Sequence, residues 1–193
     1  MEGLQVVQKQ HNVTAVLIKY KRLKELDKII QHLETIDQIK DIIVWDNTVV
    51  NMKCFGRYLG ALQAKTDIVY FQDDDCIIKN AGEIIEQFDG TQIISGMRDT
   101  AIERYKDKSD TLMGWGSVIN KSWIGSLNRY IDRYGIDDVL LREPDRIFTS
   151  MRPYKVVHSE IQDFPSCRSR EALYMQKDHE AYADKARKRA ATL

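Results

Sequence analysis

Three short β-branched runs, separated by stretches of helical period, most constrain what this chain can fold into. VTAVLI (13–18) places apolar residues at consecutive positions, the pattern of a strand buried on both faces. In KYKRLKELDKIIQHLETID (19–37) the period changes: Leu23, Leu26, Ile29, Ile30 and Leu33 recur at steps of three and four, which predicts an amphipathic helix. DIIVWDN (41–47) predicts a second buried strand, and RYLGALQAKT (57–66) a helix with Leu59, Leu62 and Ala61 inward. DIVYF (67–71) predicts a third strand. Strand, helix, strand, helix, strand at these spacings implies a mostly parallel α/β sheet with right-handed crossovers.

The remainder continues in mixed order. NAGEIIEQF (80–88) predicts a helix, TQIISGMR (91–98) a strand, and the polar residues 99–111 a loop. LMGWGSVINKSWI (112–124) predicts a strand whose Gly114 and Gly116 bring its backbone close to something else. SLNRYIDRYG (126–135) is a short helix stopped by Gly135, and DDVLLREPDRIFTSM (137–151) a helix with acidic residues in its first turn. YKVVHSEI (154–161) is a last strand, and REALYMQKDHEAYADKARKRAATL (170–193) a last helix ending in basic residues.

At 193 residues and 43% hydrophobic content, one sizeable core and one domain over 1–193 are expected. Lysine plus arginine and aspartate plus glutamate both number 29, so no global field directs the chain to nucleic acid or anionic membrane. The three cysteines, Cys54, Cys76 and Cys167, form no CxxC pair and suggest neither a zinc knot nor a disulfide scaffold. The apolar runs are too short for a transmembrane segment and MEGLQVVQKQHN has no signal-peptide profile, so a soluble, cytoplasmic protein is expected (host cytoplasm, if viral).

In parallel α/β sheets, ligands bind beyond the carboxyl ends of the strands. Three polar clusters fall there: Lys19–Arg22, Asp46–Asn47 and Asp73–Asp75. Three consecutive aspartates at the end of an apolar run repel one another unless a positive charge offsets them. A D-x-D at a strand end suits Mg²⁺ or Mn²⁺ held by one or two carboxylates with substrate phosphates completing the shell. Asp75 is the best ligand candidate and Asp73 the next; the bland alternative is a solvated acidic turn. Asp46 suits a ribose hydroxyl or a base, or else caps a turn. Lys19, Lys21 and Arg22 lie where phosphates would arrive, and Tyr20 suits base stacking; basic residues at a helix start run against the helix dipole. No G-x-G-x-x-G and no P-loop is present. Asp137 and Asp138 open a helix, where a carboxylate serves as general base, as electrostatic stabiliser or simply as a cap. His11 and His32 read as surface residues, and a lone histidine such as His158 or His179 is more often structural than ligating. The terminal KARKR (185–189) reads as a solvated helix end before it reads as a nucleic-acid contact.

Taken together, the set resembles the GT-A-fold glycosyltransferases. VTAVLIKYKRLKEL is similar to their first strand and nucleotide-binding loop, IIVWDN to their second strand, AKTDIVYFQDDD to the D-x-D strand, and GIDDVLL to the later acidic motif that opens a helix beside the reacting carbon. The order of motifs agrees over most of residues 13–185 and is similar to both family-2-like enzymes and the exostosin-type domain. The chain departs from the pattern in lacking a proline after the first strand, in Lys19 where a small residue is usual, and in Asp137 where glutamate is usual.

The resemblance implies a nucleotide-binding half at about 13–78 and an acceptor half at about 91–185. It implies a nucleoside diphosphate sugar donor contacted by Tyr20, Arg22, Asp46, Asn47, Arg57, Asp73, Asp74 and Trp115. It implies Mn²⁺ or Mg²⁺ on Asp73 and Asp75, with His179, preferred to His158, as a third ligand. Asp138, with Asp137 beside it, would be the catalytic carboxylate: a base if the reaction inverts, a stabiliser if it retains. Acceptors of small GT-A enzymes range over glycans, lipid carriers, proteins, small molecules and, in some viruses, hydroxymethylated DNA bases, and the zero net charge does not favour nucleic acid. Two other readings stand beside this one: a nucleotidyltransferase, and a non-catalytic nucleotide-sugar-binding module.

Overall fold

The computed structural model describes residues 11–21, 23–168 and 176–193. Arg22 and the REALYM part of the last expected helix therefore lie outside the described residues. Eight strands and eight α-helices follow in the order β1 (Val13–Lys19), α1 (Leu23–Leu33), β2 (Ile39–Asp46), α2 (Gly56–Leu62), β3 (Ile68–Gln72), β4 (Cys76–Ile78), α3 (Ala81–Glu86), β5 (Ile93–Met97), α4 (Asp99–Tyr105), β6 (Trp115–Asn120), α5 (Asn128–Tyr134), α6 (Asp138–Arg142), α7 (Pro144–Ser150), β7 (Tyr154–His158), β8 (Ile161–Asp163) and α8 (His179–Ala190) among the described residues. Single 3₁₀ turns precede α2 and α5 and follow β8.

Six strands form one sheet in the order β2-β1-β3-β6-β5-β7, and β4 and β8 form a separate two-stranded ribbon. β1 pairs in parallel with β2 and β3, and β5 with β7, while β6 runs antiparallel to both of its neighbours. Five of the six strands thus point the same way. This is the mostly parallel, helix-flanked sheet expected from the sequence. The carboxyl ends of β1, β2 and β3 lie side by side at one edge: Lys19 is in register with Asp46, and Gln72, just before the aspartates, with Trp115.

Helices cover both faces. On one, Leu26, Ile29 and Leu33 of α1 and Ile84 and Ile85 of α3 pack on Leu17, Tyr70 and Val118. On the other, Tyr58 and Ala61 of α2 join Val16, Phe71, Ile119, Tyr130, Ile147 and Phe148. Each large side chain so buried contributes about 1.5–3 kcal/mol relative to exposure.

Several local expectations need correction. Leu62 is 57% exposed, whereas Arg57, Tyr58, Gly60 and Ala61 make the buried face of α2. The reason is close approach: a Cβ on Gly60 would lie 2.9 Å from Cγ1 of Val16, so small residues let α2 sit directly on β1. β2 is not buried on both faces; it is an edge strand, half-exposed along most of its length. The expected loop 99–111 contains α4. The expected helix over 137–151 is two helices, because Pro144 takes the first position of α7, where its missing N–H costs nothing. The strand expected over 112–124 spans only 115–120 and gives way to the 3₁₀ turn Lys121–Leu127. The strand expected over 154–161 ends at His158 and resumes as β8. Gly135 does stop α5, with φ +73°.

Candidate active site

β3 delivers its aspartates to the edge where β1 and β2 also end. Alternation along the strand decides where each points. Phe71 packs on the α2 face, so Asp73, two residues on, is carried to the same side. There Oδ1 of Asp73 accepts a 2.5 Å hydrogen bond from Nη2 of Arg57. The other nitrogen of the same guanidinium, Nη1, donates to Oδ2 of Asp145 at 3.0 Å. Asp145 also accepts from the Tyr58 hydroxyl at 3.0 Å and from the Met113 amide at 3.1 Å. Arg57 is 4% exposed. Burial disfavours its charge, but Asp145 and Asp73 outweigh that and hold it above its ordinary value. Asp145 goes the other way: burial pushes its carboxyl up, and Arg57 only partly pulls it back.

Arg57 was expected to reach the donor. It is instead the buried bridge between the sheet edge and α7, and Tyr58 and Asp145, which sequence reasoning missed, complete it. The available signal was an arginine next to a tyrosine on the small-residue face of α2, and an aspartate in the first turn of α7, just before Ile147 and Phe148.

Gly114 donates no side chain but shapes this corner. Its carbonyl accepts from the Asp73 amide at 2.8 Å, and a Cβ placed on it would lie 2.0 Å from Oδ2 of Asp73. The close approach expected of this glycine is therefore to the first aspartate of the triplet. Asp74 is buried and Asp75 half-buried, and the carbonyl of Asp75 accepts from the Phe164 amide at 2.9 Å, which ties the triplet to the residue after β8.

On the β1 and β2 side, Nζ of Lys19 lies 2.7 Å from Oδ2 of Asp46. Oδ1 of Asp46 accepts from the amide and hydroxyl of Thr48, at 2.8 and 2.5 Å. The ammonium of Lys19, with the Thr48 bonds, holds the Asp46 carboxyl down at about 2. It remains at the surface. Asn47 does not: it is 2% exposed, its Oδ1 accepts from Trp45 Nε1 and the Met52 amide, and its Nδ2 donates to the Lys53 carbonyl. Asn47 builds the loop from the interior instead of standing at the surface. Tyr20 is half-buried, and Nζ of Lys21 stands 5.0 Å from its ring centroid. Trp115 opens β6 beside Gln72, and the Arg98 guanidinium stacks over it at 5.0 Å while also pairing with Asp163.

Asp137 and Asp138 separate in role. Asp137 caps α6: its Oδ1 accepts from the Leu140 amide and the Tyr130 hydroxyl, and its Oδ2 from Arg189. Asp138 faces outward, with half of its side chain exposed. Nζ of Lys53 meets its Oδ1 at 2.5 Å and the Tyr182 hydroxyl its Oδ2 at 3.1 Å. Lys53 first, and Tyr182 with Arg142 after burial is set against them, hold its carboxyl below the ordinary value. Lys53 and Arg57 are four residues apart, so the short segment from the 3₁₀ turn into α2 pairs with Asp138 at one end and Asp73 at the other.

His179 is not gathered with the aspartates. Its Nδ1 is 3.1 Å from Oε1 of Glu143, because α8 docks on α6 and α7 and places its first residue there. His158 ends β7 and pairs through Nδ1 with Asp99 at 2.6 Å. No group of three or more histidine, cysteine, aspartate or glutamate residues able to hold an ion is present among the described residues. The triplet nonetheless fits a hard divalent cation by donor chemistry. Mg²⁺-type sites use one or two carboxylates and leave the remaining positions to water and phosphate, and Oδ2 of Asp73 and the Asp75 carboxylate are oxygens of that kind. No helix is long and apolar enough to cross a membrane among the described residues.

No family model and no curated protein matches the sequence. Solved structures do resemble the fold. Glucosyl-3-phosphoglycerate synthase from Mycobacterium tuberculosis, solved in complex with Mg²⁺ and uridine diphosphate, superposes with a TM-score of 0.53 at 12% identity, over 91% of this chain and 79% of that one. The inositol-1-phosphate CTP transferase from T. maritima superposes with a TM-score of 0.55 at 12% identity, over 93% of this chain and 97% of that one. The likeness is one of fold. It joins this sheet to both glycosyl- and nucleotidyl-transferring enzymes and by itself assigns neither activity.

Proposed function

We propose that the protein transfers a glycosyl group from a nucleoside diphosphate sugar to an acceptor hydroxyl, with a divalent cation on the aspartate triplet. The observation that carries the reading is the convergence of Lys19, Asp46 and Asp73–Asp75 on one edge, at the carboxyl ends of three adjacent parallel strands. The resemblance of a metal- and UDP-bound glycosyltransferase to the same fold supports it. Mn²⁺ or Mg²⁺, when bound, would neutralise charge developing on the diphosphate leaving group. Asp75 and Oδ2 of Asp73 would hold it, while Oδ1 of Asp73 stays on Arg57 and keeps the carboxylate aimed. Asp46 would receive a ribose hydroxyl, and Trp115 would wall the sugar. Asp138, ionised and exposed, would either accept the acceptor's proton or stabilise positive charge at the anomeric carbon. Asn47, Asp137 and His179 have no part in this reading.

The nucleotidyltransferase reading is favoured by one observation, the full-length likeness to the inositol-1-phosphate CTP transferase. Products separate the two: nucleoside diphosphate for glycosyl transfer, pyrophosphate for nucleotidyl transfer. Binding of nucleotide sugar without any product would leave a binding module. The direct test is a thermal-shift screen of nucleoside diphosphate sugars with and without Mn²⁺, repeated on Asp75→Asn. Ligand at 100 times its Kd stabilises by about 2.7 kcal/mol, which a melt resolves easily. The Asn variant is expected to lose the Mn²⁺-dependent part of the shift; an undiminished metal-dependent shift or donor hydrolysis would refute the assignment.

A further inference from the structure

We propose that Lys53 is the positioning residue for Asp138, built into the fold at the expense of backbone comfort. The inference rests on the glycosyl-transfer reading of Asp138. Lys53 has φ +49°, a region that glycine enters freely and an L side chain enters at a cost. Its surroundings force it there. The buried Asn47 donates to its carbonyl at 2.9 Å, and Oδ1 of Asn51 accepts from its amide at 2.9 Å. Glycine would satisfy the same backbone bonds without strain. The position holds a lysine whose ammonium crosses to Asp138, 85 residues away, at 2.5 Å. The strained residue is therefore kept for its side chain.

The geometry couples two carboxylates through one rigid segment. Lys53 holds Asp138 and, one turn on, Arg57 holds Asp73. Four residues along such a segment span about 6–8 Å. The spacing between the candidate metal-side carboxylate and the candidate catalytic carboxylate is thus set by the turn leading into α2. Asp138 faces Lys53 from that turn, Arg142 from its own helix at 3.6 Å and the Tyr182 hydroxyl from α8, and Arg142 also pairs with Asp178. Of these, Lys53 makes the shortest contact and comes from the donor side of the site. It acts through Asp138 and touches no reacting atom.

The ammonium holds the Asp138 carboxyl down, so activity that needs the ionised carboxylate persists to lower pH. Removing the ammonium raises that value and moves the acid limb of the pH–rate profile to higher pH.

The test uses the full chain with UDP-glucose and Mn²⁺, following nucleoside diphosphate release, together with ¹³C titration of the Asp138 carboxyl and thermal melts without ligand. Lys53→Met is expected to lower kcat about 10- to 100-fold with little change in KM for the donor, and to shift both the acid limb and the Asp138 titration upward. Lys53→Arg is expected to restore part of each. Lys53→Gly is expected to melt at or above the wild type, because strain is relieved, while losing activity as Lys53→Met does. An Asp138 titration unchanged in Lys53→Met overturns the proposal, as does a Lys53→Gly variant that melts well below wild type. If the wild type releases no nucleoside diphosphate from UDP-glucose, the donor reading fails for that sugar, and the titration and melts still decide the role of Lys53.

Discussion

Arg57→Met is the sharpest probe of how this site is held. Methionine fills similar volume but removes the charge and leaves Asp145 without its ion-pair partner in the interior. The Arg57 and Asp145 side chains are 4% and 13% exposed, so their pair is not screened by solvent. Breaking such a pair from one side costs about 3–5 kcal/mol, mostly the penalty on the abandoned charge. The second pair, to Asp73, is 35% exposed on the aspartate side and adds about 1 kcal/mol or less after screening. For a chain of 193 residues, each kcal/mol moves Tm by roughly 2–4 °C, so a loss of about 4 kcal/mol lowers Tm by about 8–16 °C.

The pH dependence gives a second constraint on the same variant. Burial already holds the Asp145 carboxyl above its ordinary value, and without Arg57 it rises further. A carboxyl whose folded value exceeds its unfolded value penalises the fold above the folded value and ceases to do so below the unfolded one. The Tm deficit of Arg57→Met is therefore expected to be largest near pH 8 and to narrow toward pH 5, as Asp145 takes a proton. Asp145→Asn in the same background should recover much of the loss at pH 8, because its carbonyl oxygen still accepts from the Met113 amide and its NH2 donates to the Tyr58 hydroxyl, with no charge left in the interior. Melts followed by circular dichroism at the two pH values measure both effects. A deficit below about 3 °C, or one equal at pH 5 and pH 8, would show that the pair is not a dry, charged bridge.

Two further outcomes follow from the same geometry. Gly96→Ala puts a Cβ 2.2 Å from the carbonyl oxygen of Trp115 and 2.5 Å from that of Gly116; backbone cannot swing aside, so β5 and β6 must separate, and urea unfolding is expected to register a loss of about 3 kcal/mol or more. Lys19→Met removes the main group holding the Asp46 carboxyl near 2, so its ¹³C titration is expected to move up, while the melt at neutral pH changes little because the pair is exposed.

What could be read from the sequence was what local pattern encodes. β1, α1, β2 and β3 follow from runs and periods within a few residues of each other, and the strand-end placement of Lys19, Asp46 and Asp73 follows from the same runs. β4 and β8 could not be read this way: three residues each, they become strands only by pairing with each other across more than eighty positions. The inner face of α2 does not follow hydrophobicity. Where helix and strand approach closely, size decides, and Gly60 and Ala61 went in while Leu62 stayed out.

The site residues divide along the same line. Asp46 and Asp138 stay exposed, while Asn47 and Asp137 were absorbed by loop and cap, the structural roles that short polar side chains also fill. The two cations at the entry to α2 were unreadable as a pair, since each is defined by a partner more than eighty residues away: Asp138 for Lys53, Asp145 for Arg57. Yet that pair explains why three adjacent aspartates can end an apolar strand. The charge of Asp73 is offset from within by a buried arginine, itself balanced by Asp145. In the proposed reaction an arriving cation would meet Oδ2 of Asp73 on a carboxylate already aimed by Arg57. A site organised so should keep the Asp73 geometry whether or not metal is present, and should lose it when Arg57 is replaced.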